Sequence, residues 1–464
     1  MEAVNFGHSV KDIPVPSRKE LEQMFINSYE RFTWNLRWKA FHFLNPNLNS
    51  QRKQTYGFKT LNFPKPLEQT KAFEEALAEL ITNIEFKENT NLFQQQLNKE
   101  KESIENENKV IVSADKTTNF YKLEPKAYKE LVQKNVEAEY KKEKSKNTIN
   151  TKKAHKKIVN KLEIQDRVFK TVNRECFVTI KDHKADFKNN TKARLLNPMK
   201  CELGKVSKQK LTPRLKELRR KTKLEQWENT YSVIDWFKNL RNKKNLNFIQ
   251  FDVVNYYPNI TLKLLMDALN WAKEFVEIND DEIDIIVQTK KSLLYMNGEA
   301  WTKRGEDNFD VAQGAYDSAE ICDIVGLFLL SEVKKLNLRA NLGIYRDDGL
   351  GVSSSTPRQI DQIKKKICEV YKKHGLSLKV EQVNKKVVQF LDVEFDLEHD
   401  SFKPYLKEND VPLYVHQKSN HPPAILKNIP SAVNKRLSAL SSSEEMFNSV
   451  APIYQEALNK AGYN

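Results

Sequence analysis

Two adjacent carboxylates, Asp347 and Asp348, lie between the apolar runs Gly343–Tyr345 and Gly349–Val352. An Asp-Gly step in this context predicts a β-hairpin in which the glycine takes the positive φ of the turn. Because neighbouring carboxylates repel each other, both stay ionised only in a solvated turn or beside a bound cation. A surface hairpin without chemistry is the alternative interpretation.

A third carboxylate, Asp252, ends the upstream apolar segment Phe248–Phe251 and is followed by Asn255–Pro258, which predicts the end of a strand. Carboxylates at strand ends that converge on hard, oxygen-preferring cations are what a two-metal phosphoryl-transfer site needs. The three aspartates are therefore the candidate catalytic and metal-binding residues, and their pattern favours chemistry over a plain surface hairpin.

The composition favours a nucleic-acid partner, because the 464 residues carry a net charge of +15. The four cysteines lie far apart without a Cys-x-x-Cys pair, which indicates a reducing compartment and argues against a zinc site. No apolar run approaches the roughly 20 residues of a membrane span, and no signal pattern follows Met1. We expect an intracellular protein with no membrane partner, located in the nucleus if its source is a eukaryote.

Hydrophobic periodicity predicts a helical N-terminal region, with helices around 19–39 and at 67–84. The polar stretch 98–109 predicts a connector or a mobile tip, and the basic segment 122–161 predicts two helices that join near 147–151. The remaining pattern predicts strands at 175–180, 193–196, 247–254, 300–303, 377–380, 387–396 and 411–417, and helices at 212–223, 261–276, 281–295, 318–336, 356–374, 431–441 and 443–461.

Basic side chains accompany the strands predicted at 175–180 and 193–196. Lys181 and Lys184 follow the first of them, and Arg194 lies in the second. Arginine offers a planar fork and lysine a point charge, so the set suits a triphosphate. Further along, Asp317 and Glu320 have the three-residue spacing that predicts a capping role at the start of a helix.

The order of these features resembles the reverse transcriptases, and within them the Penelope-like retroelement group, over residues 105–464. The resemblance implies an α+β right-hand polymerase, with fingers, palm and thumb, an antiparallel palm sheet and a helical N-terminal extension. The implied boundaries are 1–105 for the extension, 106–245 for basic fingers, 246–400 for a palm with fingers-type helices at 261–300, and 401–464 for the thumb. The segments that match are Ala114-Asp115-Lys116, Lys181-Asp182-His183-Lys184, Phe390-Leu391-Asp392-Val393, Ser419-Asn420-His421-Pro422 and Asn428-Ile429-Pro430.

The same resemblance implies an RNA-directed DNA polymerase of a retroelement, which uses an RNA template and transfers dNTPs to the 3′-hydroxyl of a DNA primer. Asp252 would bind two Mg²⁺ ions, for which Mn²⁺ could substitute, and Asp347 and Asp348 would complete the cage. Val253 would add its backbone carbonyl. One ion would lower the pKa of the primer hydroxyl, and the other would hold the triphosphate and the leaving pyrophosphate.

Further positions carry implied roles in binding dNTPs. Tyr257 matches the steric gate that crowds a ribose 2′-hydroxyl, with ordinary packing as the alternative. Gln313 and Gly314 match the segment that lies against the template base and the incoming nucleotide, where glycine allows close backbone approach. Lys385 or Lys386 lies where the family places a lysine that protonates pyrophosphate, with a plain surface charge as the alternative.

The resemblance also implies contacts with nucleic acid, through Tyr345 and Arg346 in the hairpin and through Lys427, Lys435 and Arg436 in the thumb. Arg346 departs from the family, which has an apolar or small residue there. A primer contact is the favoured interpretation, and a side chain that points away across the strand is the alternative. In the same resemblance, Asp392 fixes the turn of the primer grip.

Two other functions remain open. An RNA-dependent RNA polymerase usually has a second acid near Tyr256–Tyr257 and a Gly-Asp-Asp hairpin, whereas this chain has Arg-Asp-Asp. A domesticated, non-catalytic scaffold that binds nucleic acid would have lost Asp252, Asp347 or Asp348, and all three are present. The sequence ends at Asn464 without room for the GIY-YIG endonuclease that many Penelope-like elements carry, so an endonuclease-lacking form is expected.

Overall fold

A five-stranded sheet in the computed structural model holds both acidic segments, with the strand order β13-β8-β12-β11-β7. Every neighbouring pair in it is antiparallel except the short parallel pair of β11 with β7. The predicted antiparallel palm sheet is therefore confirmed. Its strands are β7 (Glu225–Gln226), β8 (Asn247–Val253), β11 (Asn341–Tyr345), β12 (Asp348–Ser353) and β13 (Leu378–Val380).

The structure describes most of the chain. The described residues are 2–4, 9, 11–46, 56–60, 62, 64–85, 91–143, 145–168, 174–182, 187, 190–198, 202–291, 293–305, 308–381, 385–406 and 412–463. In this part of the chain, no helix is both long and apolar enough to cross a membrane.

The larger apolar core lies on one face of the sheet, under a layer of helices. Alternation along β8 turns Ile249, Phe251 and Val253 toward this core, so Asp252 must lie on the opposite face. The helices of this layer are α6 (Gly204–Thr222), α8 (Tyr256–Asn259), α9 (Leu262–Lys273), α10 (Asp280–Thr289), α11 (Ser318–Lys335) and α12 (Pro357–Lys373).

The face that carries Asp252 is covered further along the strands by a second apolar cluster. Aromatic rings dominate this cluster, with Phe237 packed 5.0 Å from Phe395 and 6.2 Å from Phe402 between ring centroids. The cluster leaves the ends of β8 and β12 uncovered. Its elements are α7 (Thr230–Asn239) and the sheet of β14 (Val387–Phe390), β15 (Val393–Asp396) and β16 (Ser401–Pro404).

The basic segment ahead of the palm folds as small antiparallel sheets. The predicted join near 147–151 is wrong, because the two helices are separated by a strand at Tyr140–Lys142. Tyr140 is buried and pairs with Lys303, which ties this strand to a distant hairpin. The elements are β2 (Val110–Ser113), β3 (Phe120–Leu123), α4 (Pro125–Glu139), β4 (Tyr140–Lys142), α5 (Ser145–Lys161), β5 (Phe177–Ile180), β6 (Ala193–Leu196), β9 (Leu294–Met296) and β10 (Glu299–Lys303).

The N-terminal region comprises β1 (Glu2–Val4), which pairs with β3, and the helices α1 (Arg18–Leu44), α2 (Glu68–Thr82) and α3 (Leu92–Asn106). The connector predicted at 98–109 is therefore wrong. Asn91 caps α3 by accepting from the Gln94 backbone N–H, and Leu97 is buried. The burial comes from distant partners, because the Gln94 side chain donates to the Lys418 carbonyl at 2.6 Å.

The C-terminal region contains two helices, α13 (Pro423–Ala439) and α14 (Glu444–Lys460), and α13 begins earlier than predicted. The strand predicted at 411–417 is wrong for 412–417, and Val411 lies outside the described residues. The segment is held by the N-terminal region instead. Phe93 stacks on His416 with 3.9 Å between ring centroids, and the Ile13 backbone N–H donates to Ser419 Oγ at 2.8 Å.

A buried ion pair joins α10 to the start of α11. Lys290 donates to Asp317, and their side chains are 2% and 0% exposed. Thr289 Oγ1 also donates to Asp317 at 3.3 Å. Asp317 occupies the N-cap position of α11 but its side chain makes no cap hydrogen bond. The predicted capping role is therefore wrong, because the buried ammonium binds the carboxylate.

We predict that Lys290→Met lowers the free energy of unfolding by about 3–5 kcal/mol, because Asp317 keeps a buried charge without its cation. Thermal unfolding followed by circular dichroism measures the change. Lys273→Met is the matched control, since Lys273 pairs with Asp280 at the surface, and it should leave the midpoint unchanged. Equal midpoints for the two variants would contradict the assigned role of the pair.

Candidate active site

The acidic hairpin turns at Arg346–Asp347, since Tyr345 pairs with Asp348. Arg346 takes the positive φ, at +55°. The predicted turn at Asp348-Gly349 is therefore wrong, and Gly349 lies within β12. Glycine is required there for space, because a Cβ atom would lie 2.1 Å from the Phe251 ring.

The register of the sheet collects polar side chains in one row. Asp348 on β12 and Lys379 on β13 both pair with Asp252 on β8, from its two sides. Residues directly opposite each other share a face, with Cβ atoms roughly 5 Å apart. The Val253 backbone N–H also donates to the Asp347 carbonyl at 2.9 Å, which places the turn over the end of β8.

A cavity of about 450 Å³ lies between this row and the basic sheets. Asp252, Val253 and Asp347 line it on the side of the palm, together with Tyr257 and Gln313. Basic side chains line it as well, and these are Lys116, Lys181, Lys192, Arg194, Lys303 and Lys379. The cavity therefore has acidic and basic walls, which suits an anionic ligand bound together with a cation.

The three predicted aspartates are divided between two cavities. Asp348 and Tyr345 line a neighbouring space of about 510 Å³, together with Gln250 and Asp392. Asp348 is absent from the described lining of the first cavity, which holds Asp252 and Asp347. A ligand in the first cavity would therefore meet Asp252 and Asp347, whereas Asp348 faces the second cavity.

These carboxylates fit a hard cation that takes the rest of its ligands from elsewhere. Within the described ranges, no group of three or more His, Cys, Asp or Glu side chains is close enough to hold a metal ion. Mg²⁺ uses one or two carboxylates plus substrate phosphates and water, rather than a cage made only of protein. Asp252 and Asp347 on one cavity wall match that requirement.

Asp115 holds Arg194 in place, although Asp115 lies outside the hairpin of β5 and β6 that carries Arg194. Arg194 on β6 pairs with Thr179 on β5, and its Nε lies 3.1 Å from Asp115 Oδ1. The Asp115 backbone N–H donates to the Ile180 carbonyl at 2.8 Å, and its side chain is 6% exposed. Asp115, which belongs to the Asp115-Lys116 motif of the sequence, thereby orients the guanidinium, and Lys116 lines the cavity.

Of the other basic residues predicted to contact the triphosphate, Lys181 lines the cavity. The Lys181 backbone N–H donates to the Lys192 carbonyl at 2.8 Å, which brings both residues to the cavity. Lys184, together with His183 of the same motif, lies outside the described residues. Lys192 was missed, because only the pairing of β5 with β6 reveals that it lies beside Lys181.

A buried acid that the sequence did not single out also lines the cavity. Asp310 Oδ2 accepts a hydrogen bond from the Tyr140 hydroxyl at 2.8 Å, and both residues line the cavity. Burial raises the pKa of Asp310 above its usual range, and it also raises the pKa of Tyr140. This hydrogen bond joins the paired strands β4 and β10 to the segment that leads to Gln313.

Gly314 adopts a φ of +88°, and a Cβ atom built there would meet nothing within 4 Å. This backbone conformation, which residues other than glycine rarely adopt, is one reason for glycine at this position. The predicted close approach to a nucleotide stays a prediction. Gln313 lines the cavity.

Arg346 binds Tyr257 instead of pointing away across the strand. Its Nη1 donates to the Tyr257 hydroxyl at 3.2 Å, and its Cζ lies 5.7 Å from the centroid of the Tyr345 ring. The alternation argument is wrong here because Arg346 is a turn residue. Burial raises the pKa of Tyr257 well above its usual value, so the phenol is neutral at physiological pH.

The lysines considered at 385 and 386 contact other parts of the protein, whereas Lys379 lines the cavity. Lys385 pairs with Glu381 at 3.4 Å, and Lys386 Nζ donates to the carbonyls of Lys244 and Leu246, each at 2.6 Å. Lys379 lines the cavity with Asp252. It was missed because strand register cannot be read from a local pattern.

The predicted thumb residues lie on α13. Lys427 and Lys435 are exposed, and Arg436 donates to Asp392 Oδ2 at 2.6 Å. Asp392 lies in the turn between β14 and β15 and its carbonyl accepts from the Tyr405 backbone N–H at 2.8 Å. The ion pair thus links α13 to this turn, next to a small cavity of about 280 Å³ that Arg436 shares with Lys116.

Solved structures are similar to this chain in fold. A telomerase from Candida albicans, in complex with a TWJ fragment of telomeric RNA, has a TM-score of 0.54 at 14% identity, covering 86% of this chain and 68% of that one. An apo telomerase from Candida tropicalis has a TM-score of 0.48 at 12% identity, covering 75% of this chain and 64% of that one. The RNA-dependent RNA polymerase of BmCPV has a TM-score of 0.36 at 10% identity, covering 60% and 28%.

No protein-family model and no curated protein matches the sequence. The chain spans slightly less than two thirds of the apo Candida tropicalis telomerases, at 64% and, for the form truncated from its C-terminal domain, 63%. The likeness to the Candida albicans structure concerns the fold. Together with the antiparallel palm sheet, it confirms the predicted α+β right-hand polymerase fold.

Proposed function

We propose that this chain is an RNA-directed DNA polymerase of a Penelope-like retroelement, which adds dNTPs to a primer 3′-hydroxyl. The observation that carries the proposal is the cavity that has Asp252 and Asp347 on one wall and Arg194, fixed by Asp115, among its basic residues. Acids that attract divalent cations and a guanidinium that binds phosphate then face one ligand, as a nucleoside triphosphate requires.

The chemistry assigns a separate task to each group. Two Mg²⁺ ions, or Mn²⁺ in their place, would activate the primer hydroxyl and neutralise charge on the phosphates. Asp252 and Asp347 hold negative charge where those ions bind, with the Val253 carbonyl beside them. Arg194 binds the triphosphate in an orientation that Asp115 sets before the nucleotide arrives. Lys379, in register with Asp252, donates a proton to the leaving pyrophosphate.

Nucleic acid is proposed to bind along the palm and α13. The net charge of +15 favours phosphate backbones, and exposed Lys427 and Lys435 supply contacts that do not depend on sequence. The Candida albicans telomerase was solved with a fragment of telomeric RNA, which supports an RNA template here. The motifs quoted above support the Penelope-like assignment.

We predict that Asp347→Asn slows extension of a DNA primer on an RNA template by roughly a thousandfold, because a cation ligand is lost. Primer extension with dNTPs and Mg²⁺ measures the rate. Asp361→Asn, which changes an exposed aspartate of α12, is the control and should extend as the wild type does.

Each other outcome of that assay points to a different function. Unchanged extension by Asp347→Asn would contradict the proposed site. Extension by the wild type with ribonucleotides alone would favour an RNA-dependent RNA polymerase. Salt-sensitive binding of the primed template without any extension would favour a non-catalytic scaffold.

We predict that Asp115→Asn raises the KM for dNTP about tenfold, because Arg194 loses the charge that orients it. Steady-state extension with varied dNTP concentration measures the KM. Glu299→Gln is the matched control, since it removes an exposed ion pair with Lys142 in the same region. A KM that is the same for both variants would show that Asp115 does not act through the nucleotide.

We predict that Lys379→Met lowers the single-turnover rate by a factor of about 10² to 10⁴, the range that general acids supply. Rapid-quench measurement at saturating dNTP gives this rate. Lys385→Met removes a lysine that pairs with Glu381 and should leave the rate unchanged. The reverse result, with Lys385→Met slow and Lys379→Met normal, would restore the assignment made from the sequence.

A further inference from the structure

Arg346 takes an unusual backbone conformation to reach an unusual partner. Its φ of +55° is in the left-handed region, which residues other than glycine seldom adopt. Strain of this kind persists where the surrounding structure requires it, and it often marks a functional site. The conformation places the Arg346 guanidinium against two tyrosines, bonded to the Tyr257 hydroxyl at 3.2 Å and lying over the Tyr345 ring.

The position of Arg346 suits a support rather than a ligand contact. Among the described residues that line the cavity of about 450 Å³, Tyr257 is present and Arg346 is not. Arg346 therefore stands behind Tyr257 relative to the cavity. A side chain in this position can influence what the cavity accepts through the ring that it holds.

A network of polar side chains lies around the Arg346 guanidinium. Asp323 on α11 attracts Arg346, and it accepts a hydrogen bond from Arg219 Nη2 at 2.9 Å. Gln226 joins the two, because it accepts from Arg219 Nε at 2.8 Å and donates to the Asp323 carbonyl at 2.6 Å. Residues from α6, β7 and α11 therefore restrain the charge that binds Tyr257.

The Tyr257 ring depends on such a restraint. It lies on α8, a helix of only four residues that follows Asn255 at a φ of +49°. A steric gate works only if its ring stays within a fraction of an ångström of one position, since a ring that yields admits a 2′-hydroxyl. The phenol oxygen gives the protein a point at which to hold the ring from outside the cavity.

We propose that Arg346 is a positioning residue for Tyr257, which it holds through the phenol oxygen so that the ring discriminates between deoxyribonucleotides and ribonucleotides. This inference rests on the proposed polymerase function. It replaces the primer contact expected from the sequence, and it explains why an arginine stands where reverse transcriptases have an apolar or small residue. The arginine and the tyrosine hydroxyl then act as one unit.

The test is single-nucleotide incorporation by wild type, Arg346→Met, Tyr257→Phe and the double variant, with dNTP and with the matching rNTP. The readout is the ratio of kcat/KM for dNTP to kcat/KM for rNTP. We expect Arg346→Met and Tyr257→Phe each to lower this ratio about tenfold, the size of a charge-assisted hydrogen bond. The double variant should lose no more, because both changes break the same bond.

Two further variants bracket the effect. Tyr257→Ala removes the ring and should abolish discrimination, which sets the lower limit of the ratio. Arg346→Lys keeps a cation that can reach the phenol and should recover part of the ratio that Arg346→Met loses. If Arg346→Met does not fold, as judged by its circular dichroism, Tyr257→Phe carries the test, because it removes the hydroxyl that Arg346 binds and keeps the ring.

The opposite results would overturn the inference. An unchanged ratio in Tyr257→Phe, with discrimination lost in Tyr257→Ala, would mean that the ring acts without its hydroxyl being held. A lower rate for both nucleotides in Arg346→Met, with the ratio preserved, would return Arg346 to a primer contact. A wild type that extends no primer would overturn the proposed function itself, and the inference with it.

Discussion

The site depends on the antiparallel register between β8 and β12. Asp348 lies opposite Asp252 in this register, and the Val253 N–H bonds the Asp347 carbonyl. Because side chains alternate along a strand, a slip of one residue would turn Asp252 into the helical core and Phe251 toward the cavity. Gly349 accommodates this register, since the Phe251 ring occupies the space where any other residue would carry its Cβ.

Around this register the chain brings acidic and basic side chains to the walls of one cavity. The acids come from the palm sheet, and the basic residues come mainly from the small sheets ahead of it. The pair of Asp115 with Arg194 orients one cation, while the pair of Arg436 with Asp392 ties α13 to the sheet of β14 to β16. The N-terminal region adds a brace, because β1 joins β3 and α3 contacts residues around His416.

Features that depend on local sequence were predicted correctly, and features that depend on distant partners were not. The two strands of the acidic hairpin and the helix at 356–374 follow from alternation, periodicity and caps, whereas the palm sheet followed from the resemblance to reverse transcriptases. The exact turn was missed because Phe251 decides where Gly349 can lie. Likewise, the position of Lys379 beside Asp252 depends on strand register. Helix α3 depends on contacts with residues near Lys418. The role of Asp317 depends on its pairing with the buried Lys290. The roles of the site residues stay predictions, although Asp252 and Asp347 do meet at one cavity.

The central claim is that this cavity holds a nucleoside triphosphate together with divalent cations. Anomalous diffraction from a crystal grown with primed template, Mn²⁺ and a non-hydrolysable dNTP analogue tests it most directly. The account predicts two manganese peaks between the carboxylates of Asp252 and Asp347, with the triphosphate reaching Arg194. Manganese bound away from both carboxylates, or a triphosphate bound outside the cavity, would contradict it.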